Sequence, residues 1–315
     1  MRIALVTPYL PESRNGNAHT AVRWRRFLRA AGHRVELLTD WRGQTADALI
    51  ALHARRSHAS VRAWAEARPD HPLILVLTGT DLYCDIHTDA QAKWSLTVAS
   101  RLVVLQERGV EELPPALRAK AVILYQSAPA ITSGRRPARH FDVCVTAHLR
   151  DEKAPFLAAE ALSFLPDDSR IRVRHIGGEL QPGMAARAAA LAAEQARWRW
   201  LGAQPHGATR RRIADSHLLV ISSHMEGGAN VIVEAVTAGT PVLASRIPGN
   251  VGMLGADYAG YFPVGDASAL AALLHRAETD PAYYIVLQTQ CAARAPLFTP
   301  EREAAGVRAL LETPT

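Results

Sequence analysis

Cysteine is scarce, with 3 residues in 315, at Cys84, Cys144 and Cys291. The count is odd, the three stand far apart and no Cys-x-x-Cys occurs. That excludes a disulfide scaffold and a structural zinc site, and it points to a reducing, cytoplasmic compartment. Long apolar runs are missing too. None approaches the ~18 residues of a membrane span, and the first run stops at Thr7 and Pro8, too early for a signal peptide. Aromatics make up 6% and do not interleave with basic patches, which speaks against nucleic acid as a partner. No Gly-x-Gly-x-x-Gly follows the first run, against a nicotinamide dehydrogenase. No Asp-x-Asp follows a strand, so neither a metal holding a diphosphate nor any other metal or cofactor is indicated.

What is present suits a large globular chain. Hydrophobic residues are 48% and charged residues 21%, enough to bury real cores, and the length suits two domains. The 36 basic and 30 acidic side chains leave +6, too little to argue for a polyanion and compatible with an anion site. Short apolar runs at residues 3–6, 35–38, 48–52, 73–77, 102–105 and 121–124 fill the first half. Runs at 143–145, 173–176, 198–201, 218–221 and 241–244 fill the second. Continuous runs, separated by alanine- and arginine-rich helical stretches, predict parallel strands covered on both faces. In the first helix, Ala21, Trp24, Leu28 and Ala31 form one apolar stripe, and Gly32 ends it. A polar stretch around residues 132–137 divides two similar sets of runs. The expectation is an α/β chain of two Rossmann-like domains, 1–135 and 136–315, whose parallel sheets face each other across a cleft lined by their carboxyl ends.

The most informative segment runs from Ser222 to Val242. A strand ends near Ser222, a loop carries Glu226, Gly227 and Gly228, and a short helix starts near Asn230. The free N–H groups of Ala229, Asn230 and Val231 make a ready pyrophosphate site. Glu226 and Glu234 can accept hydrogen bonds from sugar and ribose hydroxyls, or can simply complement a helix N-terminus.

This segment resembles the Glu-x7-Glu motif of family-4 glycosyltransferases of the GT-B fold, with Gly239-Thr240-Pro241-Val242 matching that family's Gly-Thr-Pro-Val. The resemblance implies that Glu226 contacts the donor sugar, Glu234 the ribose and the helix N-terminus the diphosphate. It places Gly202, in Trp200-Leu201-Gly202, near the nucleotide base. Around residue 150 the likeness thins. Lys153 matches the lysine that pairs with donor phosphate, but His148 stands at the usual arginine, and Arg150 is a candidate substitute. In such proteins the C-terminal helices often cross back onto the first domain, so the final helix, 300–311, is a candidate to do so.

In the first half, Asn15-Gly16-Asn17-Ala18-His19-Thr20 follows the first strand, where the family has a glycine-rich loop near donor and acceptor. Leu52-His53-Ala54-Arg55-Arg56-Ser57 and Leu77-Thr78-Gly79-Thr80-Asp81-Leu82-Tyr83 end two further strands. This combination resembles the selenosugar synthases, which transfer a sugar from a UDP-sugar to selenophosphate. The resemblance implies donor contacts at Gly16 and acceptor contacts at Asn15, Asn17, Thr20, His53, Arg55, Arg56, Thr78, Gly79 and Thr80. Selenophosphate is small, anionic and already nucleophilic, so it needs cationic and N–H donors more than a base. A hydroxyl acceptor would need a base such as Asp81 or His53. An ordinary family-4 glycosyltransferase and a nucleotide-sugar epimerase are the alternatives.

Overall fold

The computed structural model describes residues 1–8, 16–134 and 136–312. By its contacts the chain divides into two compact units. One is Met1–Ser127 with the stretch from Pro300 onward, and the other is Ala128–Thr299.

The first unit holds β1 (Arg2–Val6), β2 (Arg34–Leu38), β3 (Ala48–Leu52), β4 (Leu73–Leu77), β5 (Arg101–Val104) and β6 (Ala121–Ile123), in the order β2-β1-β3-β4-β5-β6. Every pairing is parallel. All five residues of β3 and of β4 are buried, as unbroken apolar runs covered on both faces require. Two apolar clusters lie on the two faces, one around Trp41, Trp64 and Leu75 and the other around Trp24, Leu28 and Ile50.

The helix Gly16–Ala30 buries Ala18, Thr20, Ala21, Trp24 and Leu28. Ala31 lies beyond it and is only half-buried. Gly32, at φ +86, ends the helix. Its N–H reaches Arg29 O and the His33 N–H reaches Leu28 O, which satisfies the last free carbonyls. Two expectations change here. Gly16 and Asn17 sit in the first helical turn and not in a loop, and Asn15 lies outside the described residues. The helix Pro300–Ala309 joins this unit through Glu303, which is fully buried and accepts from Arg23, Trp24 Nε1 and Ser127.

The second unit holds β7 (Phe141–Thr146), β8 (Ile171–Ile176), β9 (Trp198–Trp200), β10 (Leu218–Ile221), β11 (Val242–Ser245) and β12 (Tyr261–Phe262), ordered β12-β11-β10-β7-β8-β9 and again all parallel. The sequence misses β12, whose two residues are too short to show as a run. The segment around residues 128–134 is tied to the helix His206–Asp215. Arg210 donates to Pro129 O, Arg211 to Thr132 O at 2.9 Å, and the Gly134 N–H donates to Asp215 at 2.7 Å.

The strand order of the second sheet reverses between β7 and β10. In doubly wound sheets a ligand crevice opens at that switch, beyond the carboxyl ends of the strands. The loops leaving β7 and β10 therefore hold the residues to inspect.

Candidate functional site

The loop after β7 turns through Asp151–Lys153 and ends at Ala154, which takes the left-handed region at φ +41. That backbone is unfavourable for a residue with a Cβ, and it is held from the neighbouring loop. Ser222 Oγ donates to the carbonyls of Lys153 and Ala154 at 3.0 and 2.9 Å, and the His224 N–H reaches Glu152 O at 2.9 Å.

These bonds bring Lys153 Nζ to 2.5 Å from Glu226 Oε1, with both side chains mostly buried. Ser223 Oγ donates to the same carboxylate oxygen at 2.6 Å. The backbone of Glu226 is fixed from behind by the helix Pro248–Leu254. A Cβ on Gly249 would fall 1.9 Å from Glu226 O, so only glycine permits this approach. Ser245 Oγ donates to Ser223 O at 2.6 Å, and Asn250 Nδ2 donates to Ser245 O at 2.9 Å. The carboxylate thus rests on a hydrogen-bonded support spanning three segments.

After Glu226, Gly227 is buried and Gly228 half-buried, and Ala229 caps the helix Asn230–Thr237. The first bonds to Ala229 O come from Ile232 and Val233. The N–H groups of Asn230 and Val231 precede them and have no carbonyl partner among the described residues. Such a start presents donors and the positive end of the helix dipole to an anion.

Glu234 is 8% exposed, one turn into that helix. Its Oε1 accepts from His206 Nε2 at 2.6 Å. His206 opens the helix His206–Asp215, four residues after Gly202, which lies in the left-handed region at φ +66. The Gly177 N–H donates to Gly202 O at 3.0 Å. Arg150 Nε lies 3.9 Å from Glu152. His148 Nδ1 accepts from the Gly178 N–H at 3.1 Å.

The first unit has a second cluster where β3 and β4 end. Asp81 is fully buried. Its carboxylate accepts backbone N–H bonds from Ala54 at 2.9 Å, Thr78 at 2.9 Å and Gly79 at 2.8 Å. Those three bonds fix the ends of both strands. Both oxygens of this buried carboxylate are thus engaged by backbone donors, as burial of a charged group requires.

His53, 3% exposed, adopts φ +77, rare for a residue with a side chain. Its Nδ1 accepts from the Arg56 N–H at 3.4 Å, which leaves Nε2 to donate to Thr80 Oγ1 at 3.1 Å. Arg55 is exposed and its Nη1 pairs with Asp85 at 3.1 Å. Arg56 is exposed, and Thr78, Gly79 and Thr80 are half-buried around the turn. Asn17 is the second residue of the helix after β1, and Thr20 there is buried, donating to Gly16 O at 2.9 Å and accepting from Gln126 at 2.6 Å.

The structure joins the sequence's residues into groups within each unit. Lys153, Glu226, Gly227, Gly228, Ala229, Asn230, Val231 and Glu234 line one loop-and-helix constellation. His53, Arg55, Thr78, Gly79, Thr80 and Asp81 form another. The sequence reading missed Ser223, which bonds Glu226 three residues on, and His206, Asp85 and Gly249, whose partners are distant in the chain. Among the described residues, no group of three or more His, Cys, Asp or Glu side chains could hold a metal ion. Among the same described residues, no helix is long and apolar enough to cross a membrane.

Comparison with known proteins agrees with this arrangement. The family described as "Glycosyl transferases group 1" matches residues 132–296, which lie within the second unit. Among solved structures, Anabaena HepE in complex with UDP and glucose is 15% identical, with 99% of each chain covered and a TM-score of 0.79. Sucrose-phosphate synthase from Thermosynechococcus elongatus is 17% identical, with 98% of each chain covered and a TM-score of 0.79. The pneumococcal O-GlcNAc transferase GtfA in complex with UDP and GlcNAc is 16% identical over 93% of this chain and 60% of that one, with a TM-score of 0.68. At these identities the likeness is one of fold. It agrees with the α/β GT-B class of two Rossmann-like domains that the sequence predicted.

Proposed function

The chain belongs to the group 1 glycosyl transferases, and on that premise we propose that it moves a hexose from a UDP-sugar to selenophosphate. The observation that carries the donor half is the pairing of Lys153 with Glu226 beside the open start of the helix Asn230–Thr237. The N–H groups of Asn230 and Val231 bind the diphosphate, with Gly227 and Gly228 letting it approach the backbone. Lys153 swings between Glu226 and the β-phosphate as charge builds there. Glu226 accepts from a sugar hydroxyl and Glu234 from the ribose, with Gly202 near the base. Glucose and N-acetylglucosamine are the favoured sugars, since fold neighbours were solved with UDP and glucose and with UDP and GlcNAc.

The acceptor half rests on the state of the carboxylates near His53. Asp81 is consumed by three N–H groups, and Asp85 pairs with Arg55. A hydroxyl acceptor would find both carboxylates there engaged, leaving His53, already bonded to Thr80, as the remaining candidate to take its proton. Selenophosphate brings its own nucleophile. A selenium lone pair forms the bond to the anomeric carbon, the C–O bond to UDP breaks, and the electron pair leaves on the β-phosphate. No proton need move. Arg55, Arg56 and the turn Thr78, Gly79 and Thr80 supply donors to the anion. Gly16 and Asn17, in the first turn of the helix after β1, are further candidates.

The test mixes purified protein with UDP-glucose or UDP-N-acetylglucosamine and selenophosphate, and follows the products by mass spectrometry. A selenium-bearing sugar with stoichiometric UDP is expected. UDP release with an alcohol acceptor and none with selenophosphate would replace this acceptor with a hydroxyl. Interconversion of UDP-sugars without transfer would make the chain an epimerase.

A further inference from the structure

Far from the donor loops, the second unit carries a basic basin. A cavity of about 270 Å³ is lined by Arg174, Arg212, Asp142, Asp215, Ser216 and Pro137, among others. Asp142 and Arg172 are the second residues of β7 and β8 and stand in register with each other. Asp215 and Ser216 lie just before β10. The basin therefore opens near the amino ends of these strands, whereas Lys153 and Glu226 follow the carboxyl ends.

Its lining sets Arg174 and Arg212 against Asp142 and Asp215, and the basic excess comes from two further arginines next to Arg174. Side chains two apart on a strand share a face, so Arg172 and Arg174 project together, and Arg199 pairs in register with Arg174 from β9. Arg212 reaches in from the helix His206–Asp215. None of these four guanidinium groups has a carboxylate within salt-bridge distance among the described residues. The one recorded bond, Arg174 Nη1 to Val173 O, is 3.3 Å long. Asp215 is turned to the Gly134 N–H, leaving Asp142 as the nearest free acid. Arg174 is half-buried, and its pKa is drawn below the usual value by burial first, opposed by Asp142, and then by Arg172, Arg199 and Arg212. Arg174 and Arg212 in the lining, with Arg172 and Arg199 beside Arg174, outnumber the acids Asp142 and Asp215, an arrangement that an incoming anion relieves.

We propose that this basin is a second anion site of the chain, taking a small, multiply charged free phosphate of the diphosphate type. Its size favours that class, since it falls just below the range of about 300–1,000 Å³ usual for drug-sized ligands. A forked guanidinium suits phosphate oxygens better than a point charge does, and the basin offers only arginine. The site does not depend on the reaction proposed above.

The test is calorimetric. Inorganic pyrophosphate is titrated at about 0.1 M salt into full-length protein saturated with UDP, which occupies the donor helix start. Two variant pairs are compared with the parent, Arg174→Gln with Arg212→Gln, and Arg199→Gln with Arg212→Gln. Arg199 and Arg212 are both exposed, so the second pair keeps the fold. One-to-one binding that weakens at least about tenfold in both pairs is the expected result. A parallel melt should show pyrophosphate raising the parent's Tm and leaving that of the second pair unchanged. No pyrophosphate binding beyond UDP, or affinity within about twofold of the parent in both pairs, would overturn the site. Loss of UDP binding in the parent would count against the donor reading alone, and the comparison of variants would still decide the basin.

Discussion

Lys153 and Glu226, 73 residues apart in the chain, meet at 2.5 Å where the loops of β7 and β10 emerge side by side. The contact follows from topology. The sheet reverses its order between those two strands, so their carboxyl-end loops are neighbours whatever their separation in sequence. A lysine held by a carboxylate beside a free helix start can be handed to a phosphate without crossing solvent. Replacing Lys153 with Met should lower kcat by about 10²–10³-fold while KM for the UDP-sugar changes less. Steady-state kinetics over donor concentration check this. A change confined to KM would show that the lysine binds the ground state and does not favour the departure of UDP.

Glu234 is the second acid, and its partner His206 was not legible. Removing the carboxylate by Glu234→Ala should weaken UDP by about tenfold or more. His206→Ala leaves the carboxylate in place but loosens it, so its effect should be smaller and in the same direction. Calorimetry with UDP measures both. Unchanged affinity in Glu234→Ala would remove this residue from the donor site.

Gly249 has no functional group, yet it governs where Glu226 sits. Its added Cβ would meet Glu226 O at 1.9 Å, a backbone contact that cannot rotate away. Gly249→Ala must displace the loop, and a displacement of about an ångström can cost 10²-fold in rate. The expected outcome is a folded protein with kcat down by about that factor. Wild-type kcat in Gly249→Ala would mean that the position of Glu226 does not limit turnover.

How much of this was readable follows physical lines. The strands were legible because parallel strands buried on both faces leave unbroken runs, such as Leu73-Ile74-Leu75-Val76-Leu77. The strand Tyr261–Phe262 was not, since two residues carry no period. The start of the first helix was misplaced. Gly16 and Asn17 read as turn residues, but helical context overrides such weak preferences. The placement of Glu226 and Glu234 was legible because their eight-residue step lies within one loop and helix. His206 and Gly249 act on those acids from other segments, and nothing local announces such a pair. Asp81 read as a possible base from its residue type. The three N–H groups that meet its carboxylate converge only in the folded loops.

His53 separates side chain from backbone. Its φ of +77 is costly for any residue with a Cβ and nearly free for glycine. His53→Gly should therefore hold stability within about 1 kcal/mol, because relieved strain offsets the lost bond to Thr80. His53→Ala should lose more, since it keeps the strain and drops the imidazole. Urea unfolding ranks the two. If His53→Gly proves less stable than His53→Ala, the left-handed backbone stores no strain worth relieving.

His175 supplies a pH test free of the catalytic groups. It is fully buried on β8, its Nε2 donates to Ala147 O at 2.9 Å, and burial pulls its pKa from the ordinary 6.5 to about 4. The folded protein thus holds this imidazole neutral where the unfolded chain begins to protonate it. The sign follows directly. Above about pH 6.5 the unfolded chain takes no proton here and the contribution to stability is complete. As pH falls from 6.5 towards 4, the unfolded state gains a proton that the folded state refuses, and stability drops by up to about 1.4 kcal/mol per pH unit. His175→Gln keeps an N–H donor for Ala147 and cannot titrate. Between pH 7 and pH 5 the parent should therefore lose about 2 kcal/mol more unfolding free energy than the variant. Urea denaturation of both proteins at the two pH values reads the difference, in which the other histidines cancel. Parallel losses would mean that His175 accepts its proton while folded, and that the buried end of β8 is wetter than its full burial implies.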